Sequence, residues 1–320
     1  MLGASGFVGR RVLHHLTKTE WARPVAVSRH ASGLRLPGVE TLDVDVSNSK
    51  SLAAALANAV GIVNCVAGSP ELIVSTTKAV LEIASSLPSP PRIVHFSSLA
   101  AYGSATGVVD ETTPLRGDLD DYSAAKAQTD RLAGQYRSMV VLRPGIIYGP
   151  GSSWWTDRIA RLLVRKRLGS LGGNGNGNCN LVFVDDVAIA AVRALDLSDT
   201  DLGAYNLGWP VPLTWNAYFE KYAAALGALP VRHVSRQRLM VETRLLAPIL
   251  KVFEMTLVAP SLARWNPVPP LRPWLPTLCG HDIRMDVSRA ERALALRWTP
   301  LDVGFRLSAD WFQAGGRTSR

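Results

Sequence analysis

Cysteine is scarce: Cys65, Cys179 and Cys279 are the only three in 320 residues. They are far apart, odd in number and lack metal-ligand spacing, so neither a disulfide framework nor a metal centre is expected, and the usage fits a reducing cytoplasm. Long apolar runs are missing too. The most hydrophobic tract, Leu245 to Leu262, is broken by Pro248, Lys251, Glu254 and Pro260, which predicts a core or surface-seeking helix in place of a membrane span. The apolar stretch behind the first arginines is too short for a signal peptide and already serves a glycine motif. Acidic residues are the minority charge, 26 against 35 Lys and Arg, for a net charge of +9. That balance suits an anionic cofactor, acidic lipid headgroups or nucleic acid. The local cluster Arg158, Arg161, Arg165, Lys166 and Arg167 has no interleaved aromatics, so a solvated helix face near a phosphate-bearing ligand is expected and a nucleic-acid partner is not. With 47% hydrophobic and 19% charged residues, the chain suits one large α/β domain, alone or with a smaller partner.

What is present begins almost at the first residue. Gly3, Gly6 and Gly9 stand three apart within Gly3-Ala4-Ser5-Gly6-Phe7-Val8-Gly9, followed by Val12, Leu13 and Leu16 at helical spacing. A tight turn opening a helix lets backbone approach a diphosphate, and the helix N-terminus offers N–H donors and partial positive charge. Gly3, Ser5, Gly6, Phe7, Val8 and Gly9 are therefore candidate cofactor contacts. Val8, Val12, Leu13 and Leu16 are expected to face a sheet, with Arg10 and Arg11 near solvent.

Downstream, β-type runs alternate with helical segments. Pro24–Ser28 ends in Arg29 and His30; Val39–Val46 is followed by a helix from Ser49 to Ala59 capped by Asn48 or Ser49; Val60–Gly68 leads into a helix from Pro70 to Ser86; Arg92–Phe96 ends in Ser97-Ser98. This rhythm predicts an α/β fold, a doubly wound parallel (Rossmann) sheet with ligands at the strands' C-terminal ends. An acid at the end of the second strand would select a free ribose 2′-hydroxyl, whereas Ser28-Arg29 stands here, which favours NADP over NAD. Asp45 is a candidate partner for the adenine amino group or a simple cap, with Val46 beside it. Small residues at Val66, Ala67 and Gly68 would let a cofactor lie close.

Four further stretches then carry a family resemblance: Phe96 to Gly103, Asp121-Tyr122-Ser123-Ala124-Ala125-Lys126, Leu142 to Gly151 and Val182 to Ala188. In this order they resemble the signature of the extended short-chain dehydrogenase/reductases, the NAD-dependent epimerase/dehydratase family. The resemblance runs on to Arg284–Ala290 and Leu296-Arg297-Trp298-Thr299-Pro300. It implies that Tyr122 moves a proton to or from the substrate oxygen and that Ser98, ahead of Ser97, hydrogen-bonds that oxygen. Lys126 would hold the nicotinamide ribose and lower the tyrosine's pKa, as an ammonium one helical turn away can. Pro144, Gly145 and Ile147 would lie against the nicotinamide. A small-molecule substrate and a homodimer through a helix pair are also implied. Asp185 and Asp186 are expected as helix N-caps, and Gly172 to Asn178 as a mobile rim of the substrate cleft.

Departures from the family pattern carry information of their own. Only Met1-Leu2 remain of the strand that ordinarily precedes the first glycine, which predicts unpaired ladders on two neighbours and a natural start upstream. Ile146 stands where nucleotide-sugar epimerases tend to carry asparagine, no Asp-Glu pair follows Ser98, and Gly68 to Val80 lacks the usual asparagine-containing helix start. These absences point to an apolar or lipid-like substrate. Tyr205 to Phe219 resembles the matching stretch of 3β-hydroxysteroid dehydrogenase-type members. The tract around Phe253 and the segment Trp265 to Trp274 suit a greasy pocket, a peripheral membrane contact or a small helical lid. The organisation expected is a dinucleotide-binding core at 1–150 and a mixed substrate lobe at 151–320, with 179–195 and 203–208 returning to the core. The leading activity is an NAD(P)-dependent exchange of secondary alcohol and ketone; a nucleotide-sugar epimerase and a non-catalytic dinucleotide-binding sensor are the alternatives.

Overall fold

The computed structural model describes residues 1–34, 36–235, 271–272 and 274–316. The tract from Leu245 to Leu262 and the segment from Trp265 to Pro270 lie outside the described residues. The chain forms two compact units, one of Met1–Ile147, Leu181–Pro210 and Met285–Trp298, the other of Tyr148–Asn180, Val211–Arg284 and Thr299–Arg320. Relative to the expected boundary at residue 150, the first unit also takes Met285–Trp298.

The first unit is a parallel sheet between helices. Strands β1 (Val25–Ser28), β2 (Glu40–Asp43), β3 (Gly61–Asn64) and β4 (Arg92–Phe96) alternate with helices α1 (Phe7–Leu16), α2 (Ser49–Leu56) and α3 (Pro70–Ser86). After the short strand β5 (Gly107–Val109) come α4 (Asp121–Ala133), β6 (Met139–Pro144), β7 (Ile146–Tyr148), β8 (Leu181–Phe183), α6 (Val184–Leu195) and β9 (Gly203–Leu207); helix α5 (Arg158–Val164) belongs to the second unit. β1 pairs β2 with Val25 opposite Glu40, and β3, β4, β6 and β9 run parallel in that order with Gly61 opposite Arg92, Ile93 opposite Met139 and Val140 opposite Gly203. β-Branched residues are frequent in β3, β4 and β6, whose residues are mostly buried. Val12, Leu16, Val94, Leu142, Val187 and Tyr205 share one core, while Leu52, Ile62, Val80, Ile93 and Val141 share another.

The two-residue stub does the work of a strand. Leu2 bridges Val27 and Asn64 in parallel, with Val27 N–H donating to Met1 O at 2.8 Å, Leu2 N–H to Val63 O at 2.9 Å and Cys65 N–H to Leu2 O at 3.1 Å. The expectation that β1 and β3 would be left unpaired is thus corrected: the backbone of Met1 to Ala4 joins them, and the sheet runs β2-β1-Leu2-β3-β4-β6-β9. Strand bounds are shorter than the sequence runs suggested, since Val44 to Val46 and Cys65 to Gly68 turn away as loops. Helix α3 keeps its expected bounds, with Ser69 accepting from Leu72 N–H and Pro70 in its first turn.

The second unit has an aromatic core. Helix α7 (Trp215–Ala225), capped by Thr214, buries Trp215, Tyr218, Phe219 and Tyr222, and Tyr218 stacks on Phe305 of helix Leu301–Gln313 at 5.8 Å between ring centroids. The glycine-rich segment expected as a mobile rim is pinned to α7: Asn216 accepts from Leu171 N–H and donates to Gly172 O, each at 2.8 Å. Of the expected basic face, Arg161 pairs with Asp157, Lys166 donates to Pro230 O, and Arg158 lies over the Trp154 ring. Among the described residues no helix is long and apolar enough to cross a membrane.

Candidate active site

Loops at one end of the parallel sheet carry the predicted site residues, because every strand presents its C-terminal end there. Gly3 follows the stub, Arg29 follows β1, Asp45 and Val46 follow β2, Val66 to Gly68 follow β3, Ser98 follows β4, and Pro144, with Gly145 next, closes β6. Tyr122 and Lys126 come from α4.

The glycine turn is built for backbone approach. Gly3 has φ +72°, and a Cβ there would stand 2.7 Å from Cys65 O; a Cβ on Gly9 would overlap the Gly3 carbonyl. Gly6 N–H donates to Gly3 O at 3.0 Å, and Gly6 precedes α1 as an N-cap with no side-chain hydrogen bond. A helix of ten residues thus presents its first N–H groups and its positive dipole end beside a cradle that side chains would fill, which fits a dinucleotide diphosphate. Arg29 is exposed and lies close enough to Asp45 to help hold its carboxyl below the ordinary range, although the larger cause is Ser47, whose N–H and hydroxyl donate at 3.0 and 2.8 Å. Asp45 therefore closes a turn, and Asn48 caps α2 by accepting from Ser51 N–H. At the end of β1 the Ser28 hydroxyl is buried without a hydrogen-bond partner. Val66 N–H is held by Asn64 Oδ1 at 3.2 Å, and Gly145 N–H donates to Leu207 O at 2.9 Å, extending the β6–β9 ladder past Pro144. Ile147 packs half-buried against the core under α6.

α4 is fixed by a capping box: Ser123 N–H donates to Asp120 Oδ1 at 2.7 Å and Asp120 N–H to Ser123 Oγ at 2.9 Å. That cap sets the helix's first turn, and with it Tyr122. Ser98 accepts from Ala100 N–H at 3.2 Å and lies near enough to the Tyr122 hydroxyl to influence its protonation. Lys126, only 5% exposed, donates from Nζ to Phe96 O at 2.7 Å and lies 5.8 Å from the Tyr122 ring centroid. Burial lowers its pKa to about 8, with Cys65 and Asp130 pulling the other way.

One expectation is corrected here. Tyr122 is 42% exposed overall, yet burial raises the phenol above its ordinary pKa, with the nearby Ser98 side chain opposing and Asp120 adding to the rise. The lowering expected from Lys126 does not figure among the causes of the shift, and that ammonium donates to the Phe96 carbonyl. A second correction concerns Asp185 and Asp186, which are not N-caps. α6 is preceded by Phe183 with no side-chain cap, and Asp185 instead accepts from His15 at 3.2 Å and faces Arg11 at 3.6 Å. Sequence reasoning also missed Asp130 and Arg143, a buried ion pair behind Lys126; the recurrence of an acid one turn after the lysine was the available signal. Among the described residues no cluster of His, Cys, Asp and Glu is placed to hold a metal ion.

Comparison with known proteins accords with this geometry. The chain is 33% identical over 141 residues to the 3-diazoavenalumate denitrifying reductase of a Streptomyces species, covering 42% of this chain and 46% of the relative. To protein YeeZ of Escherichia coli strain K12 it is 30% identical over 141 residues, covering 44% and 48%. The chain spans about half the length of the curated relatives it matches. The UDP-glucuronic acid 4-epimerase from Bacillus cereus, solved in complex with NAD, superposes with TM-score 0.75 at 16% identity over 99% of this chain and 98% of that one. A human epimerase family protein solved with NADPH gives TM-score 0.71 at 18% identity over 97% and 98%. These structures share the Rossmann fold. The sequence model of the NAD-dependent epimerase/dehydratase family matches residues 1–208 of the 320, and the chain belongs to that family.

Proposed function

We propose that this chain is an NAD(P)-dependent oxidoreductase of the extended short-chain type that interconverts a secondary alcohol and a ketone on an apolar or lipid-like small molecule. The observation that carries the reading is that Tyr122 and Lys126 share one face of α4, with the Lys126 ammonium 5.8 Å from the tyrosine ring and Ser98 near its hydroxyl. Gly3, Ser5, Gly6, Phe7, Val8 and Gly9 would hold the diphosphate, Arg29 the adenosine ribose, and Val66, Ala67, Gly68, Pro144, Gly145 and Ile147 the space against the nicotinamide. When bound, the nicotinamide donates or accepts the hydride. In the reducing direction the Tyr122 hydroxyl donates its proton to the substrate oxygen while the Ser98 hydroxyl holds that oxygen in place. A phenol raised by burial is a competent donor, since it carries its proton at neutral pH. Lys126, on the same helix face and tied to the Phe96 carbonyl, would hold the nicotinamide ribose.

Preference for NADP rests on Arg29 and on the lack of an acid at the end of β1. The likeness to a reductase supports net reduction. Nucleotide-sugar epimerisation is the second reading, supported by structural relatives bound to UDP-glucose or UDP-glucuronic acid. Titration of the nine tryptophans' fluorescence with NADPH and NADH, followed by loss of NADPH absorbance against a panel of apolar ketones, tests the reading. Selective NADPH binding with ketone reduction that Tyr122→Phe abolishes supports it. Binding of neither nucleotide sinks it, and UDP-sugar epimerisation without net redox change selects the second reading.

A further inference from the structure

The inward face of α4 continues past the proton-transfer pair. Tyr122, Lys126 and Asp130 recur every four residues, so one face carries a phenol, an ammonium and then a carboxylate. Asp130 and Arg143 of β6 are each 5% exposed. They meet fork to fork: Arg143 Nε donates to Asp130 Oδ2 at 2.8 Å and Nη2 to Oδ1 at 2.9 Å. The remaining arm, Nη1, donates to the Tyr102 hydroxyl at 3.0 Å and to Glu111 O at 3.1 Å, and Tyr102 in turn donates to Asn206 Oδ1 at 2.7 Å. Burying two charges costs so much desolvation that an apolar pair of like volume would hold the fold equally well. The pair's placement supplies another role. Arg143 directly precedes Pro144-Gly145, the strand end assigned to the nicotinamide, and Asp130 lies one turn beyond Lys126.

We propose that Asp130 and Arg143 are positioning residues: their ion pair fixes the helix bearing Tyr122 and Lys126 against the strand that ends in Pro144-Gly145, and the Asp130 carboxylate keeps the Lys126 ammonium charged. This rests on Tyr122 and Lys126 being the proton-transfer pair. The groups facing Lys126 are Tyr122 and Asp130 from α4, His95 and the Phe96 carbonyl from β4, and Cys65 beyond β3. His95 is kept neutral by burial, at about 3, and burial pushes the Cys65 thiol far up. Asp130, one helical turn from Lys126, joins Cys65 in opposing the desolvation that lowers the lysine's pKa.

Titration of the Lys126 side chain by carbon-detected lysine NMR, assigned by loss of the signal in Lys126→Met, tests the proposal without turnover. In Asp130→Asn the midpoint is expected about one pH unit lower than in the parent, and the basic limb of NADPH binding should move with it. Asp130→Glu should restore the midpoint. If Asp130→Asn does not fold, Asp130→Asn/Arg143→Gln removes both charges and keeps a neutral hydrogen-bonded pair; because the arginine's opposing charge leaves with the carboxylate, a smaller lowering of the midpoint is expected. An unchanged Lys126 midpoint in either charge-deleted protein, with only stability reduced, would overturn the proposal and leave a structural ion pair. Failure of the underlying reading looks different: Tyr122→Phe would turn over normally.

Discussion

At the scale of residues, the groups proposed to react separate by the state in which burial holds them. Tyr122 is held protonated and Lys126 is held near its titration point of about 8. Lys126 is charged below that pH and neutral above it, so ketone reduction should fall as pH rises through about 8, read from kcat/KM against pH. Tyr122→Phe is expected to lower kcat by about 10²–10⁴-fold with NADPH affinity unchanged, as fluorescence titration would show. His95 makes the fold sensitive to acid. Burial takes its imidazole from 6.5 to about 3, so between those values the unfolded chain binds a proton that the folded chain refuses. Stability should therefore fall as pH drops through that window, by up to about 1.4 kcal/mol per pH unit, and urea midpoints for the parent and His95→Leu would show the variant's flatter dependence. Tyr122 and Lys126 were legible because one turn of helix fixes their spacing, and Ser98 through the family resemblance of the stretch Phe96 to Gly103. Asp130 and Arg143 were not, because their meeting depends on how α4 packs on β6.

At the scale of elements, legibility followed capping and pairing. Helix α3 was bounded correctly because Ser69 and Pro70 mark its start in the chain itself. The stub strand was misjudged: its ladder is satisfied by two neighbours contributed from residues 25–28 and 61–64, a tertiary fact absent from local sequence. The glycine turn was readable, and the structure shows why it tolerates no side chain. Gly9→Ala drives a methyl into the Gly3 carbonyl, and it is expected to abolish dinucleotide binding in a fluorescence titration and to lower the Tm. Asn48→Ala, which removes only the α2 cap, should cost about 1 kcal/mol by urea unfolding and leave nucleotide affinity intact.

At the scale of the whole molecule, the dinucleotide unit is assembled from three stretches of chain. Ala290, Leu294 and Leu296 from the last of these pack in the same core as Val140, Leu142 and Tyr205. Leu294→Ala should cost about 2–5 kcal/mol in urea unfolding, although the residue lies far along the chain from every predicted site position. The segmentation also sets an order of events during translation. The ribosome completes the glycine turn, Ser98, Tyr122 and Lys126 early, yet the residues that finish their supporting core, Met285–Trp298, emerge only after nearly all of the second unit. The nascent first unit therefore lacks Ala290, Leu294 and Leu296 of its core until synthesis has passed residue 298.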